Sequence, residues 1–263
     1  MSKNFENGIV SSTDGGSTDL SSDIETTGVT YWVDSVTGSD ANAGTNRNSP
    51  KATLASAYTA ATANNGDMIV LFSTHAETLT ASQSFSKAGV RLMGLGSGSG
   101  KPTFTLNGNV DMFNLSAARQ EINNIKFPAS TSANTARINT AATGCRIINC
   151  DFTCGVNDLD TITVPATGID LEINGCSFTI SADGPDRAIA VESALAVGLK
   201  LIGNSFSGGS YDFDDAAIYS TVAHTEFLYR DNTLTNKASI IHTAAAKGQC
   251  VGTVAGDGSR VEV

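Results

Sequence analysis

The chain has 263 residues, a net charge of −10, 40% hydrophobic residues and only 16% charged residues. The acidic balance argues against nucleic acid and anionic membrane surfaces as partners, because both are bound through Lys and Arg. No apolar run approaches the roughly 20 residues that span a bilayer, and the first residues lack the apolar stretch of a secretory signal. We therefore expect a protein that is made and folded in a cytoplasm.

Residues 1–28 differ from the rest of the chain because they are rich in Ser, Thr, Asp and Gly. Their large apolar residues follow no helical or strand period; they are Phe5, Ile9, Val10, Leu20 and Ile24. A segment of this composition is too polar to fold alone. We predict an extended arm that binds a partner through these apolar side chains. The alternative is an arm that folds back on its own body.

Residues 29–66 form a leading segment that contains one predicted helix, at 51–63. Four of its residues share one face at helical spacing: Leu54, Ala57, Tyr58 and Ala61. We predict that this helix caps the first turn of the repeat that follows. Without a cap, the first turn would offer unpaired strand edges to other chains.

Two clusters contain residue types that bind metals. The first consists of Asp34, Asp40 and Asn42, which could form a calcium loop but equally suit a turn-rich connector. The second consists of Cys145, Cys150 and Cys154, whose spacings differ from Cys-x-x-Cys and which have no His nearby. We expect neither metal nor cofactor, and we expect the five cysteines to be free thiols.

Residues 67–263 contain an internal repeat of 25 to 28 residues. It is clearest in five segments: 120–127, 145–152, 171–178, 199–206 and 227–234. The segments end in Phe127, Phe152, Phe178, Phe206 and Leu234. Five places earlier stand Ile122, Ile147, Ile173, Leu201 and Tyr229. Three places before the end stand Asn124, Asn149, Gly175, Gly203 and Asp231, which are residue types that tolerate a positive φ.

This pattern predicts a strand, one left-handed residue that bends the chain, and a Phe that points inward beyond the bend. The same corner in every coil closes a solenoid. We therefore predict an all-β fold, a single-stranded right-handed parallel β-helix with about 25 residues per coil. Gly94 should occupy the bend in an early coil, and Cys150 and Cys176 should be buried neighbours in successive coils. The glycine-rich run at 94–100 is predicted to be a turn.

Residues 31–106 resemble the start of pectate-lyase-like β-helix proteins. The resemblance rests on the runs YWVDSVTGSDANAG, SPKATLASAYTAA, NNGDMIVLFSTHAETLT and KAGVRLMGLGSGSGKPTFTLNG. That superfamily includes polysaccharide lyases, glycosidases and many bacteriophage tailspike-type proteins. The resemblance extends over about residues 31–250. It indicates the fold specifically but says almost nothing about activity.

Three acidic segments follow successive Phe residues and are predicted to be turns stacked on one side of the solenoid. They contain Asp158 and Asp160, then Asp183 and Asp186 with Arg187, then Asp212, Asp214 and Asp215. Such a line could hold calcium and act on a uronic-acid sugar, or paired carboxylates could hydrolyse a glycoside. If the chain is an enzyme, the candidate catalytic residues are Asp186, Arg187, Asp212, Asp214 and Asp215.

The alternative is a solvated acidic edge, because Asp is a common turn residue. Only Asp214–Asp215 matches the D-D of the polygalacturonase type, whose G-H-G and R-I-K are absent here. We therefore do not expect an enzyme.

These expectations favour a structural virion protein of a bacteriophage, located on the outer surface of the capsid. It would be a head decoration or cementing protein, docked through its arm on the major capsid protein or another virion protein. The resemblance implies a homo-oligomer, most simply a trimer. The alternative is a tailspike or tail-fibre module that binds or degrades host glycan, although Trp32 and five Tyr are few residues for sugar stacking. An adhesin or surface-layer module is a third alternative.

Overall fold

The computed structural model describes residues 26–131, 133–155, 157–182, 186–207, 211, 213, 215–220, 222–223, 225–235, 240–241 and 247–253. The predicted arm residues Phe5, Ile9, Val10, Leu20 and Ile24 lie outside the described residues, as do Asp183, Asp212 and Asp214. Among the described residues, no helix is long and apolar enough to cross a membrane.

The described chain forms three parallel sheets, with strands numbered in chain order. Sheet A contains β1 (Thr30–Val33), β2 (Met68–Leu71), β5 (Arg91–Gly94), β8 (Glu121–Asn123), β11 (Arg146–Ile148), β14 (Glu172–Asn174), β17 (Lys200–Ile202), β20 (Thr225–Arg230) and β23 (Lys247–Val251). Sheet B contains β3 (Ala76–Leu79), β6 (Thr103–Leu106), β9 (Lys126–Phe127), β12 (Asp151–Cys154), β15 (Ser177–Ile180), β18 (Ser205–Ser207) and β21 (Thr233–Thr235). Sheet C contains β4 (Gln83–Phe85), β7 (Phe113–Leu115), β10 (Asn134–Asn139), β13 (Asp158–Val164), β16 (Arg187–Val191), β19 (Ala216–Ser220) and β22 (Ile240–Ile241). From β2 onward the chain visits A, B and C in turn, which confirms the predicted parallel β-helix.

A short helix, α1 (Leu54–Ala60), closes the first coil. Its residues Leu54, Ala57 and Tyr58 are buried, and the Tyr58 ring lies 5.0 Å from Phe85 of β4. Because β4 is the first strand of sheet C, α1 covers the end of that sheet. The predicted capping helix is therefore confirmed, with shorter bounds than 51–63.

Both ends of α1 are capped by side chains. The Thr53 hydroxyl accepts a hydrogen bond from the Ser56 N–H at 3.2 Å. At the other end, the Lys87 ammonium donates to the carbonyl oxygens of Tyr58, Thr59 and Ala61 at 2.7–2.8 Å. A helix of seven residues is marginal by itself, so these caps and its buried face stabilise it.

The strand register matches the predicted columns. Ile122, Ile147, Ile173, Leu201 and Tyr229 are successive partners in sheet A. Phe127, Phe152, Phe178, Phe206 and Leu234 are successive partners in sheet B. The four Phe rings are stacked, with centroid separations of 4.8, 4.9 and 4.8 Å. The core is therefore built from ladders of equivalent residues about one strand spacing apart.

The predicted bend residues adopt a left-handed conformation. Their φ angles are 58° for Asn124, 51° for Asn149, 63° for Gly175, 62° for Gly203 and 55° for Asp231. Asn and Asp enter this region at lower cost than other residues with a Cβ. Each bend turns the chain from sheet A into sheet B.

Gly94 departs from this rule, so its predicted role as a left-handed bend is wrong. It follows Met93, the partner of Asn123, but the positive φ falls on Gly96, at 89°. A Cβ at Gly94 would lie 2.2 Å from the Asn124 carbonyl oxygen, so the glycine is required by close packing. The corner continues through a 3₁₀ turn at Gly98–Gly100, which agrees with the turn predicted for this run.

The residue that directly follows each bend residue changes along the solenoid from Cys, at Cys150 and Cys176, to Asn, at Asn204. Cys150 and Cys176 are buried free thiols, and the Cys150 N–H donates to the Cys176 sulfur at 3.4 Å. In the next coil, Asn204 Oδ1 accepts from the Cys176 N–H at 2.9 Å, and Nδ2 donates to the Ile173 carbonyl at 2.9 Å. The buried amide thus satisfies backbone groups that the bend leaves without strand partners.

We expect Asn204→Ala to lower the free energy of unfolding by roughly 2–4 kcal/mol, because it leaves the buried Cys176 N–H and the buried Ile173 carbonyl without their hydrogen-bond partner. Urea unfolding followed by circular dichroism would measure the loss. The control is Asn123→Ala, on the outer face of sheet A, whose amide donates to the Glu121 carboxylate at 3.1 Å. Equal losses in both variants would contradict the structural role of the buried amide.

The outer face of sheet A carries a ladder of alternating charge. Its members are successive strand partners: Arg91, Glu121, Arg146, Glu172 and Lys200. Arg146 lies 3.2 Å from Glu121 and 3.3 Å from Glu172, with 47% of its side chain exposed. Exposed pairs of this kind contribute about 1 kcal/mol or less each.

Candidate functional site

The outer face of sheet C is recessed. Ala136, Ala190 and Ala216 are at most 1% exposed, although they do not belong to the hydrophobic core cluster. Six of the seven residues of β13 are buried. The chain therefore shields this sheet on its outer side as well as its inner side, and any polar group there lies in a partly dehydrated setting.

Four residues of this face form what we call the sheet C site: Asp160, Arg187, Asp215 and Tyr219. Asp160 and Arg187 are strand partners on β13 and β16, and their side chains meet through two hydrogen bonds, at 2.7 and 3.3 Å. Arg187 Nε is 3.8 Å from Asp215 Oδ2, and its guanidinium carbon lies 5.0 Å from the Tyr219 ring centroid. One guanidinium therefore joins groups from three successive coils.

Exposure rises from one side of the site to the other. The side chain of Asp160 is 2% exposed, that of Arg187 is 20% exposed, and that of Asp215 is 44% exposed. Burial raises the pKa of Asp160 to about 7; Arg187 opposes this shift, and the charges of Glu192 and Asp186 add to it. The site thus combines a buried acid of raised pKa with a reachable guanidinium and carboxylate.

The raised pKa of Asp160 makes stability depend on pH. An unfolded Asp ionises near pH 3.9, whereas folded Asp160 keeps its proton to about pH 7. Between these values the unfolded state binds fewer protons, so the contribution of this group is present below about pH 4 and is lost as pH rises to about 7. We expect that loss to be on the order of 2–4 kcal/mol.

The comparison of wild type with Asp160→Asn isolates this effect. The pKa values of Asp34 and Asp40 are lowered, because hydrogen bonds outweigh the burial that acts to raise them. Their contributions are lost below about pH 4 in both proteins. Urea unfolding between pH 4 and pH 8 should show a decline in wild type that is absent from Asp160→Asn. Parallel curves for the two proteins would rule out a raised pKa.

The prediction that Asp158 and Asp160 lie in a solvated turn is wrong. Both belong to strand β13, and both are 1% exposed. These carboxyl groups can be buried because each is hydrogen-bonded to an arginine, Asp158 to Arg137 and Asp160 to Arg187. They therefore do not form an acidic stack open to solvent.

Of the five candidate catalytic residues, the structure places Asp186, Arg187 and Asp215 together. The Asp215 N–H donates to the Asp186 carbonyl at 3.1 Å, so the two aspartates lie in successive coils as predicted. Asp212 and Asp214 lie outside the described residues. Tyr219 was not predicted; the available signal was an aromatic residue shortly after the acidic segment that contains Asp215.

Arg137 is a second buried arginine that the sequence analysis missed. Its Nε and Nη2 donate to the two Asp158 oxygens at 2.8 and 2.6 Å. The rest of the guanidinium donates to the carbonyls of Pro128 and Thr153. The available signal was a single arginine between Ala136 and Ile138 in the segment that forms β10. With 1% exposure and all its bonds internal, Arg137 has a structural role.

Two asparagines extend the polar character of sheet C toward earlier coils. Asn114 and Asn139 are strand partners on β7 and β10. Their Oδ1 atoms are buried and have no hydrogen-bond partner among the described residues. Asn139 Nδ2 lies 3.5 Å from Asp111 Oδ2.

The calcium-loop alternative fails on geometry. Asp34 accepts hydrogen bonds from Val36, Thr37 and Thr74, and Asp40 accepts them from Ala52 and Thr53. The Lys51 ammonium occupies the oxygen-lined centre of this loop, with the Asn42 carbonyl at 2.8 Å. Within the described part of the chain, no group of three His, Cys, Asp or Glu residues is placed to hold a metal ion.

Comparisons with known proteins show the fold. The chain is similar to a rhamnogalacturonan lyase structure, with a TM-score of 0.59 and 15% identity over 87% of this chain. The match covers 62% of the lyase chain, so this protein spans less than two thirds of it. No protein-family model and no curated protein matches. At this identity the likeness shows the fold alone, a parallel β-helix.

Proposed function

We propose that the chain is a structural protein of a bacteriophage virion, a head decoration or cementing protein held to the capsid by residues 1–28. The resemblance of residues 31–106 to pectate-lyase-like β-helix proteins, a superfamily that includes many tailspike-type proteins, supports the class. The partner would be the major capsid protein or another virion protein, and the assembly would be a trimer. One structural observation supports attachment through the arm.

That observation is the way the chain enters the solenoid. The Val29 N–H donates to Asp67 Oδ1 at 2.7 Å, and the Met68 N–H donates to the Val29 carbonyl at 3.0 Å. The Thr26 hydroxyl donates to the Gly66 carbonyl. Asp67 is fully buried. The arm is therefore attached at a fixed point on the capped end of a stiff body, which is a suitable layout for a tether.

The test is a truncation that stops at residue 25, because Thr26 to Val29 belong to the body. The full chain should sediment with phage particles purified without it, and the truncated chain should remain in the supernatant. A full-length variant with Ser at Phe5, Ile9, Val10, Leu20 and Ile24 should also remain unbound. Both variants should unfold at the same urea concentration as wild type.

The control replaces exposed apolar residues of the body, Leu159 and Leu195, with Ser. This variant should bind like wild type. Equal binding of the truncated and full chains would overturn attachment through the arm. Absence of the chain from purified virions of its source would overturn the virion role itself.

A second candidate function is binding of a host glycan at the sheet C site. It is favoured by the partly exposed Arg187 and Asp215 beside the Tyr219 ring, since such groups can bond hydroxyls and stack on a sugar. Arg187→Met and Tyr219→Ala should then abolish binding on a glycan array. Arg146→Met removes an exposed paired arginine on sheet A and should leave binding intact. Absence of wild-type binding to any host-surface glycan would exclude this candidate.

A further inference from the structure

Lys101 makes an unusual contact between distant coils. It is 7% exposed, and its Nζ donates to the Asn149 main-chain oxygen at 2.7 Å. The same nitrogen lies 3.5 Å from Asn149 Oδ1 and 3.0 Å from Asp151 Oδ2. Lys101 precedes β6, whereas Asn149 is the bend residue before β12 and Asp151 begins that strand. Because β9 lies between these strands, the contact spans three coils.

The amide of Asn149 is held in a defined orientation. Its Nδ2 donates to Asn124 Oδ1 at 2.9 Å, and Asn124 Nδ2 donates in turn to the carbonyls of Gly94 and Gly96 at 2.8 Å. The amide nitrogen of Asn149 is thereby engaged with Asn124, while its oxygen faces Lys101. The amide carbon is about 1.2 Å from that oxygen, so a small side-chain rotation brings it within attack distance of Nζ.

We propose that Lys101 and Asn149 form an intramolecular isopeptide bond, with Asp151 as the proton carrier. Asp151 accepts a proton from the Lys101 ammonium, and the neutral amine attacks the amide carbon. The Nζ–Cγ bond forms, the Cγ–Nδ2 bond breaks, and the proton passes from Asp151 to the departing nitrogen. On forming the amide, Nζ loses its second proton through Asp151 to the leaving group, which departs as ammonium; no oxidant or cofactor is consumed, and Asp151 ends in its ionised state.

The three residue types have the complementary roles that such a reaction requires. An amine supplies the nucleophile once it loses its proton, and an adjacent carboxylate can remove that proton. The low exposure of Lys101 limits competing contact with water, while the coil-to-coil register holds the partners in place. The bond would link the first and third of three successive coils covalently. This proposal is independent of the virion and glycan proposals.

Intact-mass measurement of the purified full chain under denaturing conditions tests the bond. Wild type should weigh one ammonia less than its sequence, and digestion should give a branched peptide joining Lys101 to Asn149. Asn149→Asp should lose water in place of ammonia. Lys101→Arg keeps the positive charge but cannot form the bond, and Asp151→Asn lacks the proton carrier, so both should keep the full sequence mass.

Two controls separate the cross-link from other causes. Lys126→Arg changes a lysine on the intervening strand β9 and should still lose ammonia. Ring closure at an Asn-Gly sequence such as Asn174–Gly175 also releases ammonia, but that loss would persist in Lys101→Arg. Circular dichroism should show that all variants are folded. A folded wild type that keeps its full mass after prolonged incubation at neutral pH would overturn the proposal, as would a mass loss that survives in Lys101→Arg.

Discussion

Replacement of Arg137 by Met is expected to lower the free energy of unfolding by about 3–5 kcal/mol. The substitution leaves the Asp158 carboxylate, whose side chain is 0% exposed, without its bidentate partner. It also removes the donors to the carbonyls of Pro128 and Thr153. The measurement is urea unfolding at neutral pH, followed by circular dichroism.

Two further variants test whether the uncompensated charge is the cause. Adding Asp158→Asn to Arg137→Met should recover part of the lost stability, because the asparagine side chain is neutral. Its amide oxygen can still accept a hydrogen bond from the Gly155 N–H, which donates to Asp158 at 2.8 Å in the wild type. Arg146→Met removes an exposed paired arginine and should cost about 1 kcal/mol or less. If the double variant is no more stable than Arg137→Met alone, lost packing explains the effect better than the buried charge.

Phe178→Ala should destabilise the protein by about 3–5 kcal/mol, as expected for deletion of a fully buried ring. Phe178 is 0% exposed and stacks between Phe152 at 4.9 Å and Phe206 at 4.8 Å. Its removal breaks two stacking contacts and leaves a cavity in the middle of a continuous ladder. Coils on both sides are held by the same sheets, so we expect the cavity to collapse only partially.

The matched control is Thr179→Ala, because Thr179 is the next residue on β15 and is exposed. That change should alter the free energy of unfolding by about 0.5 kcal/mol or less. Equilibrium unfolding in urea compares the two variants directly. If Phe178→Ala were as mild as Thr179→Ala, the neighbouring rings would have to close over the gap.

The sequence was informative where one interaction repeats in every coil. The Phe column, the Ile column and the positive-φ residues Asn124 and Asn149 were predictable because stacked parallel strands place equivalent residues side by side. The helix over Leu54–Ala60 was predictable because its apolar spacing differs from that of the strands around it. These features depend on local conformation and on a periodicity that the chain repeats several times.

The candidate site was less predictable because its contacts occur once. Asp is a common turn residue, so the sequence favoured a turn at Asp158 and Asp160. Both lie buried in a strand because they pair with Arg137 and Arg187. Arg187 lies one coil, 27 residues, after Asp160, but the same column holds Ala136 and Ala216 in the flanking coils, so the pair does not recur. Arg137 lies 21 residues before Asp158, which is less than one repeat. The reason for a glycine at position 94 was equally hard to predict, because a Cβ there would clash with the Asn124 carbonyl oxygen of the next coil.

The sequence by itself thus determined the solenoid, its register, its bends and its capping helix, because each follows from short-range preferences repeated at a regular interval. Only the tertiary structure decided which charges are buried and which guanidinium meets which carboxylate. The reason is that the free energy of an ionised group depends on the solvent and partners brought to it from other coils. The sheet C site and the contact of Lys101 with Asn149 both belong to this second kind.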